Sequence, residues 1–251
     1  MINKDNLPSE ELRGMKLYHY TSVESFCKIW LSEHLRLCKY KNVNDIFEKQ
    51  KIAAIEIPPK AGIPHHIPIG EKRLEPLAFV FHIISQFKQI SFCKDYDDGT
   101  LGCLSSMMWG QYAKNEKGVC IEFDKDKLLE GKIGYISGDV SYDVSVPFIT
   151  IPSSCFSKEP EKEIRAAIID NKDKVFFSKH KHWEHENEFR IVSDSKPSIS
   201  IRNAIVCVYI QNPNCTNTRL LKKLIGKKVP IKYIDLDTKR DNISLCIKDL
   251  D

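Results

Sequence analysis

The run Glu186-Asn187-Glu188-Phe189-Arg190-Ile191-Val192 puts two carboxylates and a guanidinium in close succession. Phe189 and Ile191 alternate with polar residues at period two, so the run reads as a strand from Glu186 onward. Glu186, Glu188 and Arg190 then share one face and the apolar pair the other. Two carboxylates so placed cannot both ionise cheaply in a poorly hydrated site. One pKa must rise unless a cation answers it, and Arg190 is the local cation. Taken alone, such a run is commonly a solvated strand face with a cross-strand ion pair. A second stretch, His19-Tyr20-Thr21, changes the balance. A tyrosine ring can stack on a nicotinamide face, and a histidine can hydrogen-bond a ribose hydroxyl. A carboxylate can hold the 2′-hydroxyl and stabilise an oxocarbenium-like sugar as the base departs. A second carboxylate can orient or deprotonate the acceptor. Together these groups suit cleavage of a ribosyl bond in a dinucleotide, provided that the early histidine and the late glutamates face each other across a nucleotide-sized cleft.

The elements that must position them follow from pattern. Residues 1–15 are polar and read as frayed. Leu17–Thr21 reads as a short strand, with Ser22 as N-cap of a helix through Phe26, Ile29, Trp30 and Leu31. Leu35–Cys38 suggests another strand, and Asn44–Glu48 begins a helix. Pro58, Pro59, Pro64 and Pro68 make residues 57–76 a long Pro-rich loop, with His65-His66 as loop decoration. Leu77–Phe87 is apolar without a clear type. Ile90–Cys93 is a strand, and Ser105 caps a helix carrying Met108, Trp109 and Tyr112 at core-like spacing. Gly118–Phe123 is a strand and Lys125–Leu129 a short helix. Ile133–Val146 suggests a strand or hairpin, and Glu161–Lys179 one helix with Ile164, Ile168, Val175 and Phe176 on its apolar side. After the Glu-bearing strand come the buried-strand run Ala204–Ile210, a helix ended by Gly226, and strands at Val229–Leu236 and Ile243–Ile247. No repeat or linker interrupts the order, which predicts a single α+β domain spanning 1–251.

Composition narrows the class. Hydrophobic residues make up 42% and charged residues 29% of the 251, with a formal net charge of +4. These values are ordinary for a soluble globular protein, and the mild charge permits an acidic partner without demanding one. Nine cysteines scattered singly, with no CxxC pair and no signal peptide, predict reduced, buried thiols in a cytoplasmic protein. No apolar run is long enough to span a bilayer, and no membrane association is expected.

Three other chemistries fit less well. His180, His182, His185, Glu184 and Glu186 straddle a helix-to-strand junction at spacings that match no zinc pattern, so no metal is expected. No cysteine has an evidently cationic setting that would make it a nucleophile. The basic stretch Arg219–Lys232 lacks interleaved aromatics. It reads as a solvated helix face or as contact with an acidic partner.

The order Tyr18-His19-Tyr20-Thr21, Asn44-Asp45-Ile46-Phe47-Glu48, Met108-Trp109-Gly110-Gln111-Tyr112-Ala113 with Gly118-Val119, then Trp183…Glu186-Asn187-Glu188-Phe189-Arg190 resembles a large bacterial family without an assigned activity. That family's pattern runs HYTS, NDPFE, MWxxYA…G and WxxExExR; Ile46 stands where it usually has proline. Its first and last motifs are similar to those of the ADP-ribosyltransferase superfamily of the diphtheria-toxin and poly-ADP-ribose polymerase type. The resemblance implies a split mixed/antiparallel sheet flanked by helices, with NAD as substrate. It implies His19 for ribose, Tyr20 or Tyr112 for nicotinamide stacking, and Glu188 as the catalytic carboxylate with Glu186 as its partner or alternative. Thr21 and Arg190 join the NAD-binding set. The His-x-Thr opening also resembles that of nucleic-acid-modifying toxins in the superfamily. The acceptor stays open among protein, nucleic acid, small molecule and water. The family's frequent place beside phage-resistance genes implies a defence or toxin role. The alternative expectation is a non-catalytic nucleotide- or nucleic-acid-binding module using the basic C-terminal helix.

Overall fold

In the computed structural model, the described residues are 14–40, 55–58, 64, 66–69, 72–113, 118–145, 148–212, 214, 216–237 and 244–249. The expected helix start at Asn44–Glu48 and the histidine at 65 lie outside them. The architecture is α+β, with a mixed sheet flanked by helices, as the sequence predicts. The chain forms two compact units, each assembled from separated segments. One takes the residues up to Glu33, Lys94–Gly131 and everything from Ile201; the other takes His34–Cys93 and Lys132–Ser200.

The first unit carries five strands in the order Ser244–Asp249, Ile231–Asp237, Ile205–Ile210, Gly118–Asp124, Lys16–Ser22. Ile205–Ile210 pairs parallel with Ile231–Asp237, across the helix Thr216–Ile225 that connects them; the other neighbours are antiparallel. Gly118–Asp124 is central and buried along nearly its whole length, which suits its continuous apolar run. A Cβ at Gly118 would come within 1.9 Å of the Ala113 carbonyl oxygen, so only glycine lets the strand start this close to the preceding segment. Ser22 and Ser105 both act as helix caps, accepting from the backbone N–H of Ser25 and Met108. The Ser105-capped helix Ser106–Tyr112 is short and depends on that cap. Ser105→Ala is therefore expected to cost about 1 kcal/mol by urea denaturation, and a loss near zero would count against the cap's role.

The second unit centres on three antiparallel strands in the order Lys88–Cys93, Glu188–Ser193, Ile136–Asp139, with Cys38–Lys39 also on Lys88–Cys93. Its core joins Phe79, Val80, Ile83 and Ile84 to Phe156, Ile164, Ile168, Phe176 and Val192. The stretch of unclear type, Leu77–Phe87, is a helix, Pro76–Gln86, with proline in its first turn and those four side chains as its buried stripe. An isolated helix of this length is marginal in water. Burial worth roughly 1.5–3 kcal/mol per large apolar side chain decides the matter.

Three expectations are corrected here. The helix read over Glu161–Lys179 stops early: Pro160–Asp170 is followed by one turn, Lys172–Val175, and Ser178–His180 is a strand. Ile133–Val146 is not a hairpin, because Ile136–Asp139 pairs with Glu188–Ser193 whereas Ser141–Asp143 pairs parallel with Ser178–His180. Part of the Pro-rich stretch is regular, since Ile67–Ile69 pairs antiparallel with Lys72–Leu74. Of the described cysteines, Cys93, Cys103, Cys120, Cys155 and Cys207 are buried, Cys38 is exposed, and none is bridged. No helix among the described residues is long and apolar enough to cross a membrane.

Candidate active site

The glutamates do not share one strand. Glu186 ends a 3₁₀ segment, Lys181–Glu186; Asn187 takes a left-handed conformation (φ 40°, ψ 59°), and the strand begins at Glu188. Asparagine tolerates that conformation better than other residues with a Cβ, which explains its place between the two acids. Nor is the polar face solvated. Glu186, Glu188 and Arg190 are 3%, 4% and 1% exposed, so the ordinary reading of a wet ion-paired face does not hold.

These groups form a buried chain of alternating charge. Arg190 grips Glu188 with two donors, Nε to Oε1 at 2.9 Å and Nη2 to Oε2 at 2.8 Å, and donates through Nη1 to the Phe176 carbonyl at 2.8 Å. Lys179 Nζ pairs with Glu186 Oε2 and lies 3.4 Å from Glu188 Oε2. Its ammonium is also 4.6 Å from the centroid of the Trp183 ring. The backbone N–H of Glu188 donates to the Tyr142 hydroxyl at 2.9 Å. Burial pushes the Glu188 carboxyl up, but the Arg190 charge and hydrogen bonds, with Lys179 and the Ser91 hydroxyl, override it and hold the group at about 2. Burial and the Glu188 charge push the Tyr142 phenol up. Glu188 is thus a fixed negative charge, suited to electrostatic stabilisation and too weak a base for proton abstraction.

His19, Tyr20, Thr21 and Tyr112 lie in the first unit. His19 and Thr21 are half-buried on Lys16–Ser22, opposite Ile121 and Val119 of the neighbouring strand. Tyr20 points to the other face and is 6% exposed. Its hydroxyl donates to the Gly102 carbonyl, and its ring meets Trp109 edge-on at 5.3 Å. Trp109 in turn donates to the Cys103 carbonyl at 2.8 Å. Tyr20 is therefore a core residue with a satisfied hydroxyl, whereas Tyr112, at the end of Ser106–Tyr112, is half-buried. Arg190, expected among the NAD-binding residues, donates to Glu188 and to the Phe176 carbonyl.

Sequence reasoning missed Lys179, which it placed on a helix, and a second buried acid in the first unit. Glu122, 1% exposed, accepts from the Tyr209 hydroxyl at 2.5 Å and pairs with Lys16 at 2.5 Å. A lone glutamate inside the run Val119-Cys120-Ile121-Glu122-Phe123 was the available signal. Burial, with Glu122 nearby, pushes the neighbouring thiols up, Cys103 to about 12 and Cys207 to about 11. That disfavours nucleophilic use of either. Among the described residues no group of three His, Cys, Asp or Glu side chains is placed to hold a metal ion.

Residues 108–191 match a family described as "Protein of unknown function (DUF2971)", a span that holds Trp109, Lys179, Glu186, Glu188 and Arg190. No curated protein matches the chain. Among solved structures, the chain is similar to Thermus sp. 2.9 DarT in complex with carba-NAD+, at 11% identity and a TM-score of 0.39, over 91% of this chain and 97% of that one. The same protein in complex with NAD+ gives 9% and 0.36, and in complex with ADP-ribosylated ssDNA 9% and 0.37. Each of these two covers 84% of this chain and 88% of the other.

Proposed function

We propose that this protein cleaves NAD at the nicotinamide–ribose bond and transfers ADP-ribose to an acceptor, or to water. The observation that carries the reading is the buried Glu188 carboxylate, ionised and gripped by Arg190, with a second acid two residues away. As the C1′–N bond breaks, its electron pair leaves with nicotinamide and positive charge develops on the ribose. A preorganised anion stabilises that charge without having to reorganise. Glu188 takes this role, and Glu186 orients or deprotonates the acceptor that attacks C1′. His19 and Thr21 serve the ribose, and Tyr112, more open than Tyr20, stacks on the nicotinamide. Arg190 acts on the cofactor only through Glu188. A role in phage defence belongs to this reading as well.

Nicotinamide release from NAD by the purified protein tests it, with Glu188→Gln and Glu186→Gln in parallel. Glu188→Gln is expected to lower kcat at least roughly tenfold, because only the transition state gains from the lost charge. Absence of release by the wild type, together with no thermal shift on adding NAD, would sink the proposal. A second reading, a polyanion-binding module, is favoured by one feature. Arg219, Lys222, Lys223, Lys227 and Lys228 are all exposed, on or just after the helix Thr216–Ile225. Salt-dependent binding of single-stranded nucleic acid without NAD turnover would support it.

A further inference from the structure

We infer that Lys179 is a positioning residue for the glutamate pair, the cation that bridges the Glu186 and Glu188 carboxylates and so sets the pH range in which the pair works. The inference rests on the reading above only for its activity arm. Lys179 is 7% exposed and belongs to none of the sequence motifs. Its strand, Ser178–His180, pairs with Ser141–Asp143 so that Tyr142 and Lys179 are register partners. This small ribbon therefore addresses Glu188 twice, the Tyr142 hydroxyl accepting from its N–H and the Lys179 ammonium standing beside its carboxylate. Trp183, on the same 3₁₀ segment as Glu186, lies beneath the ammonium and holds it over the pair.

Charge balance supplies the reason. Two acids and two bases face one another here: Glu186 from the 3₁₀ segment, Glu188 and Arg190 from Glu188–Ser193, and Lys179 from its own strand. Tyr142 and the Ser91 hydroxyl also face Glu188. Arg190 pairs with Glu188 and donates to the Phe176 carbonyl, and Glu186 pairs with Lys179. Removing Lys179 takes a cation from both carboxylates at positions only 3% and 4% exposed, which favours proton uptake by the pair.

The experiment compares wild type, Lys179→Met, Lys179→Arg and Lys179→Met/Glu186→Gln by thermal stability from pH 4.5 to 9 and by the pH profile of nicotinamide release. In Lys179→Met the acid limb of kcat should move up by about one pH unit or more, about a tenfold loss on the acid side, with KM for NAD changed far less. Its stability deficit should widen as pH rises, because a carboxylate with a raised folded pKa is penalised once the unfolded chain ionises. Lys179→Arg should restore the limb, and adding Glu186→Gln should remove most of the deficit. A deficit independent of pH, or a double variant no more stable than the single one, overturns the inference. If Lys179→Met does not fold, folding of the double variant supports the inference and its failure to fold overturns it. Should the wild type release no nicotinamide, the enzymatic reading falls while the stability arm still decides the role of Lys179.

Discussion

Arg190→Met should cost about 3–5 kcal/mol of folding stability at neutral pH, the usual penalty for removing one partner of a buried ion pair. Methionine fills much of the arginine's volume, so the loss comes from charge and not from a cavity. It leaves Glu188 with a carboxylate in a site where that residue is 4% exposed, and strips the Phe176 carbonyl of a donor. Lys179, shared with Glu186 and 3.4 Å from Glu188, makes up only part of the difference. Against a typical total of about 5–15 kcal/mol, such a loss removes a large share of the margin. Arg190→Lys should rescue little, because an ammonium cannot make the paired Nε and Nη2 contacts and reach the carbonyl as well. Arg190→Met/Glu188→Leu should recover most of the stability, since replacing both partners abolishes the orphaned charge. Urea denaturation followed by circular dichroism measures all three. A loss below about 1 kcal/mol for Arg190→Met would mean that water reaches this carboxylate after all.

How far the sequence could foresee this site depends on which physical signal each part left. Ser22 and Ser105 were legible because an N-cap is a local device that one side chain performs by itself. The strands Lys16–Ser22, Gly118–Asp124 and Ile205–Ile210 were legible from composition and alternation. The break after Asp170 was not, because Ile164, Ile168 and Val175 stay in helical phase across it: the period survives even though the backbone turns. That hid the strand bearing Lys179, and with it the second cation. Glu186, Glu188 and Arg190 likewise kept period two although Asn187 kinks the chain between the acids. Periodicity reports side-chain phase and is blind to a single left-handed residue. The asparagine itself was the clue. Burial of the polar face was illegible for a deeper reason. Whether a charged strand face meets water depends on what packs over it. Here the ribbon of Ser141–Asp143 and Ser178–His180 places Tyr142 and Lys179 against Glu188, and the Tyr142 contact joins residues 46 apart in the chain. Tyr20 shows the converse case. A tyrosine in a suggestive motif gave its hydroxyl to the Gly102 carbonyl and its ring to the core.

The protein should lose about 3 kcal/mol of stability as pH falls from about 4.5 to about 2, and Glu188→Gln should abolish most of that loss. The sign follows from the direction in which the group is displaced. Glu188 is held at about 2 in the folded chain against an ordinary 4.5, because Arg190 and Lys179 outweigh the burial that pushes it up. A depressed carboxylate stabilises the fold at every pH above its ordinary value. That contribution drains away as acid titrates the unfolded chain first, and it is gone once the folded group protonates. Each tenfold difference in proton affinity between the folded and unfolded chain is worth about 1.4 kcal/mol, which gives the figure above. Asp98 and Asp235 are also held below the usual range, by the Thr100 backbone and by Lys248, but both meet water at the surface and add to the background that the Gln variant shares. The alkaline side has the opposite origin. Burial pushes the phenols of Tyr18, Tyr142 and Tyr209 up, so their contribution is intact below about pH 10 and fails as the unfolded chain ionises above it. Thermal melts from pH 2 to pH 11 would trace both limbs. Equal acid slopes for wild type and Glu188→Gln would show that the Glu188 carboxylate is not the charge that the fold has committed to its interior.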